Sequence, residues 1–178
     1  GSNVEVLKPD LSKSKPFKDF GQGFYLSADK EQARRMAEQK TLQLMCGEAV
    51  VSEFDFDETW LQSDELKVKI FNDYSVEWAN FILKNRDLRS HHPAHDYDIV
   101  FGPIADDGVT FQLRRYQSGV ISIEELVREL QYARGALEVL REDYQAAMPY
   151  LEEAKRMGIA EAETTINAIQ DYWKVSKR

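Results

Sequence analysis

What the chain has little of narrows its chemistry first. It contains one cysteine, Cys46, so an internal disulfide is impossible. Cys46 stands between Met45 and Gly47 in a mostly apolar run and reads as a small packed hydrophobe. That usage fits a reducing compartment, and a cytoplasmic setting is the expectation. No apolar run approaches the length of a membrane span, and no signal-peptide pattern is visible, so no membrane partner is expected. Repeats, low-complexity tracts, a Walker-type phosphate loop and a Ser/His/Asp motif are all missing. The formal net charge of -8 argues against a surface that binds nucleic acid as a whole.

What is present is an ordinary globular composition, 43% hydrophobic and 30% charged, over 178 residues. That is enough chain for one domain with a small appendage. The most informative stretch is Asp19-Phe20-Gly21-Gln22-Gly23-Phe24-Tyr25-Leu26-Ser27. Glycine permits positive φ and close backbone approach, and Phe24, Tyr25 and Leu26 read as the start of a strand. One reading is a surface turn entering a core strand. The other is a hinge that presents Tyr25 to a flat ring. Ahead of it, Lys8, Lys13, Lys15 and Lys18 form a basic loop, either solvated or facing a phosphate or pyrophosphate.

Along the chain, Val4–Leu7 reads as a short strand closed by Pro9, and a helix is expected after Ser27 or Asp29 as cap, with Ala33, Met36, Ala37 and Leu44 on its apolar face. Glu48 to Phe56 alternates in part and predicts a strand. Ser75 to Leu83 predicts a helix with a broad apolar face around Trp78, and Tyr97 to Phe101 a short buried strand ended by Gly102-Pro103. Val109, Leu113 and Tyr116 fall at helical spacing up to Gly119. Ser122 and Glu125 form a capping box for a helix reaching Tyr132. A further helix spans Ala136 to Ala147, with Leu137, Leu140 and Tyr144 on one face and Pro149 as an interruption. Ala160 to Trp173 carries the stripe Ile166, Ile169 and Trp173, with Lys174, Lys177 and Arg178 behind it. The irregular order of strands and helices indicates an α+β fold.

Other constellations have two readings each. His91 and His95 would suit zinc on a helix, but Pro93 disfavours one there, and a loop with a structural His95 is the alternative. Asp106-Asp107 either orients an acceptor or ribose hydroxyl or is an acid pair at a helix start. Asp98, a carboxylate in an apolar strand, needs hydrogen-bond donors.

Several motifs agree with one family. The chain resembles a bacterial family of proteins of unknown function with an ADP-ribosyltransferase-like fold, on Gly1-Ser2, Pro9, Asp19 to Tyr25, WANFILKNR from Trp78 to Arg86, and HDYDIVFGPIADD from His95 to Asp107. The likeness covers residues 1–146; 147–178 would be a helical extension. It implies a split two-sheet core with peripheral helices, and NAD+ as substrate. The implied activity is ADP-ribose transfer to a macromolecular acceptor, in a toxin-like or defence role. By the same resemblance Tyr25 stacks on nicotinamide, Gly21, Gly23 and Phe24 shape the turn, and Gly1 and Ser2 line the carboxamide pocket. The family's histidine would stand just ahead of Gly1, its strand either lost or preceding this chain. The third catalytic position matches only Gln131, in Gln131-Tyr132. An inactive module of the same fold, binding NAD+ or a protein, is the alternative, and the C-terminal helices offer a possible protein-binding arm.

Overall fold

The computed structural model describes residues 1–105, 107–140 and 143–176. Expectations for the Asp106 and Asp107 carboxylates, the Leu137 and Leu140 side chains and Lys177-Arg178 lie outside the described residues. The chain is α+β and mostly helical. It forms two compact units, Gly1–Lys69 with Asn85–Val100, and Ile70–Lys84 with Phe101–Arg178.

The first unit contains α1 (Lys30–Leu44). Asp29 caps it, its carboxylate accepting from the Glu31 and Gln32 amides at 2.9 and 3.1 Å. Good helix formers carry the body, and Arg34 bridges Glu31 and Glu38 on the exposed face. The helix ends at Met45 in the left-handed region, so the next residue, Cys46, turns outward and is exposed. The expectation of a packed Cys46 is thereby corrected.

Three predicted strands in this unit, Val4–Leu7, the one opening at Phe24 and Glu48 to Phe56, do not form. Ser2 and Val50 make one antiparallel bridge, with N–H···O distances of 2.9 and 2.8 Å. The ladder then stops, because the Val6 amide donates to the Ser52 hydroxyl at 3.0 Å and not to a backbone carbonyl. Beyond the Val50 bridge, alternation from Glu48 to Phe56 therefore yields no strand. Phe24 to Leu26 likewise forms no strand, and Phe24 packs edge-on against Phe54 with ring centroids 5.2 Å apart.

Strands β1 (Val68–Ile70) and β2 (Ile99–Phe101) form a two-stranded parallel sheet, the only sheet among the described residues. Its register is set by Ile99 N–H to Lys67 O and by Phe71 N–H to Phe101 O, 3.3 and 2.8 Å. Asp98 meets its need for donors locally, accepting the Lys67 amide at 2.9 Å.

The second unit is built on helices: most of α2 (Val76–Asn85), then α3 (Asp107–Gln117), α4 (Ile123–Leu140), α5 (Tyr144–Arg156) and α6 (Ala160–Ser176). Trp78, Ala79 and Ile82 are fully buried. The Trp78 indole N–H donates to Pro103 O at 2.8 Å, and Tyr74 meets its ring edge-on at 4.9 Å. The capping box forms as predicted, Glu125 N–H to Ser122 Oγ and Ser122 N–H to Glu125 Oε2 at 3.1 and 2.8 Å.

The predicted break near Gly135 is absent; α4 runs through it to Leu140. A β-carbon at Gly135 would lie 2.9 Å from Leu151, so the glycine lets α5 approach closely. Pro149 lies inside α5 and does not end it, since Asp143 caps the new helix start and Ala147, Leu151 and Ala154 bury its face. Ile166 and Ile169 of α6 close the same cluster, with Trp173 packed beside it. The C-terminal stripe is thus spent on α5.

Replacing Trp78 with alanine removes the largest buried side chain and orphans the Pro103 carbonyl. We expect a loss of about 3–5 kcal/mol, read as a lower urea midpoint at unchanged slope. A loss below about 1 kcal/mol would contradict this packing.

Candidate functional site

The Asp19–Tyr25 segment needs a sharp reversal, and its sequence supplies one. Gly21 sits at φ +80°, a conformation that penalises any β-carbon. Its N–H closes the turn on Lys18 O at 3.0 Å. A β-carbon there would lie 2.9 Å from Asn85 Oδ1 and 3.4 Å from His95 Nε2.

The Tyr25 hydroxyl clamps the same turn. It accepts from the Phe20 N–H and donates to Gly21 O, both at 2.9 Å. Its ring lies nearly parallel to Phe20, at 12° with centroids 6.3 Å apart. The residue as a whole keeps 42% exposure. Burial pushes the phenol up to about 12, opposed by the Phe20 amide; Asp19 adds to the rise and Arg86 counters it.

Beneath the turn lies a charged brace. Arg86 Nε and Nη2 reach Asp19 Oδ1 at 2.8 and 2.6 Å, and the two side chains are 25% and 12% exposed. Asn85 is buried beside them. His95 completes the support. Its Nδ1 accepts the Tyr97 N–H at 3.1 Å, which leaves Nε2 as the donor to Phe20 O at 2.9 Å. His95 is a structural loop residue with both ring nitrogens engaged. Among the described residues no His, Cys, Asp and Glu group is arranged to hold a metal.

The structure brings Gly21, Gly23, Phe24 and Tyr25 into one turn. Gly1 and Ser2 belong to the same unit, Gly1 against the α1 backbone at Ala33 and Ser2 on Val50. Lys40 Nζ approaches the Ser2 hydroxyl at 3.5 Å. Gln131 belongs to the second unit. It is helical and buried, and its amide donates to Tyr74 O at 3.0 Å. It borders a cavity of about 680 Å³ with Asp73, Arg134, Glu138 and Tyr150. There Arg134 pairs with Glu138 at 3.1 Å and lies 5.6 Å over the Tyr150 ring. Tyr25 lines neither this cavity nor the 180 Å³ one beside it.

The family described as Protein of unknown function (DUF3990) matches residues 1–142. The chain belongs to DUF3990. Neither the curated proteins nor the solved structures hold a match to it. The DUF3990 match takes in the glycine turn, its brace of Asp19, Asn85, Arg86 and His95, and Gln131. The pairing of Asp19 with Arg86 went unread in the sequence. Its signal is a carboxylate wedged among Phe17, Phe20 and Phe24, where a charge needs a partner.

In this DUF3990 chain, Tyr25→Phe keeps the ring and removes both hydroxyl contacts. We expect about 1–3 kcal/mol of local destabilisation, read as faster exchange of the Phe20 amide. In alkaline absorbance titration the variant should lose the phenol that ionises near 12. Because this pKa is raised in the folded state, Tyr25 favours folding below about 10 and that contribution fades as pH rises toward 12. Loss of amplitude near 10 instead of near 12 would show that the hydroxyl is not held as described.

Proposed function

We propose that this DUF3990 protein is an NAD+-dependent ADP-ribosyltransferase with an ADP-ribosyltransferase-like core, acting on a macromolecular acceptor as a toxin-like or defence effector. The observation that carries the reading is the state of Tyr25. Its hydroxyl is committed to the turn while the residue stays partly open to solvent. A tyrosine held in that way offers a fixed flat surface for a pyridinium ring. The YDIVFGPIADD stretch and the DFGQGFY stretch both belong to the resemblance on which the NAD+ assignment rests.

In this reaction the bond between the nicotinamide nitrogen and ribose C1′ breaks, and its electron pair leaves with neutral nicotinamide. An acceptor lone pair forms the new bond to C1′, and the acceptor gives up one proton to solvent. Positive charge grows on the ribose in the transition state. The protein's part is to orient the leaving ring and the dinucleotide, so that attack follows with little further loss of freedom.

A second reading has its own support. The only residue matching the third catalytic position is Gln131, and its side-chain amide is tied to the Tyr74 carbonyl inside a helix. That favours a catalytically inactive module that holds NAD+, or a protein, without transferring ADP-ribose.

Radiolabelled NAD+ incubated with the protein and cell lysate separates the two. Transfer of label to macromolecules supports the enzyme, and saturable NAD+ binding without transfer supports the module. Tyr25→Ala should lower transfer roughly a hundredfold, the scale on which lost positioning is felt, with the urea midpoint showing the fold retained. Unaltered transfer in that variant would remove Tyr25 from the site.

A further inference from the structure

The basic loop ahead of the glycine turn is built onto that turn, and its charges are mostly unspent. The Ser14 hydroxyl donates to Gly23 O at 2.6 Å. The Gln22 amide donates to Leu11 O and Ser14 O at 3.2 and 3.1 Å. Three hydrogen bonds therefore tie Leu11–Ser14 to the two residues Gln22 and Gly23. Between these tie points Phe17 sits at φ +60°. Left-handed backbone is costly for a bulky residue and persists only where the surroundings enforce it.

The charge balance of this loop is unlike that of the molecule. Lys8, Lys13, Lys15 and Lys18 are all exposed. Lys13 meets Asp10 at 3.6 Å. Asp19, the acid next to Lys18, is neutralised by Arg86. Among the described residues no ion pair engages Lys8, Lys15 or Lys18. A chain of net charge -8 repels anions at long range, so any anion that binds here needs such a local positive patch.

We infer that the loop from Lys13 to Lys18 is a diphosphate-binding element, which holds the pyrophosphate of NAD+ through Lys15 and Lys18 while Tyr25 takes the nicotinamide. The inference rests on the NAD+ reading above. It assigns the dinucleotide's negative charge to the segment stapled to the tyrosine's own turn. Lysine ammonium groups serve phosphate as mobile point charges, and exposed contacts of this kind weaken with salt.

The test uses the full chain and calorimetric titration with three probes: inorganic pyrophosphate, NAD+ and nicotinamide. The double variant Lys15→Gln/Lys18→Gln is compared with Lys155→Gln/Lys174→Gln, which makes the same change in net charge in the other unit. Pyrophosphate and NAD+ should each bind the loop variant roughly tenfold more weakly, the combined weight of two exposed charge contacts. The control variant should bind both like the parent protein, and nicotinamide should be indifferent to either change. NAD+ should displace pyrophosphate. NAD+ binding undiminished in the loop variant, or weakened equally in the control, overturns the loop's role and leaves the function proposed above standing. Pyrophosphate binding at the loop that NAD+ neither displaces nor matches overturns the dinucleotide assignment, and that function with it.

Discussion

The glycine turn depends on one buried ion pair. Arg86 and Asp19 stand 67 positions apart in sequence and meet at 2.6 Å with most of both side chains out of water. Such a pair adds little net stability, because desolvating two charges costs about what their attraction returns. Its effect is on geometry. Asp19 cannot leave Arg86 without stranding a buried charge, so the chain that follows Asp19 starts from a fixed point. Phe20 is held next, by His95 on its carbonyl and by the Tyr25 hydroxyl on its amide. Gly21 then turns at positive φ, with Asn85 and His95 too close to admit a β-carbon there.

Tyr25 is accordingly a part of the turn it emerges from. A free surface tyrosine would place its hydroxyl in water and sample several rotamers. Here the hydroxyl replaces water at one backbone donor and one backbone acceptor, and the ring inherits the rigidity of the turn. Preorganisation of this kind lowers the entropic cost of binding a flat ring. Burial raises the phenol pKa while the two hydrogen bonds fix the ring, so Tyr25 is unsuited to proton transfer near neutral pH and suited to serve as a surface.

Local signals in the sequence were legible where the structure they specify is local. The Ser122–Glu125 capping box, the Asp29 cap and the amphipathic stripe of α6 each involve residues a few positions apart, and each forms. Strands were less legible, since alternation says nothing about whether a partner exists. Glu48–Phe56 alternates and finds one bridge, at Val50. β1 had its own signal in Leu66, Val68 and Ile70 alternating with Lys67 and Lys69, too short to stand out from the charged flank. Gly135 and Pro149 mislead for the opposite reason. Their usual effect on an isolated helix is overridden by tight packing between α4 and α5. At the candidate site the glycine turn and Tyr25 were readable as motif, whereas the brace beneath them joins residues from distant stretches. The aromatic flanks of Asp19 signal that it needs a partner, but no single-sequence pattern names Arg86 as that partner.

The central claim is that the face of Tyr25 receives the nicotinamide of NAD+. Proton NMR of protein carrying ring-labelled tyrosine, titrated with NAD+, tests it most directly. The account predicts saturable movement of the Tyr25 ring resonances together with upfield shifts of the nicotinamide protons, as two aromatic faces stack. Tyr25 resonances that stay in place at NAD+ saturation, while other tyrosines respond or none does, would contradict it.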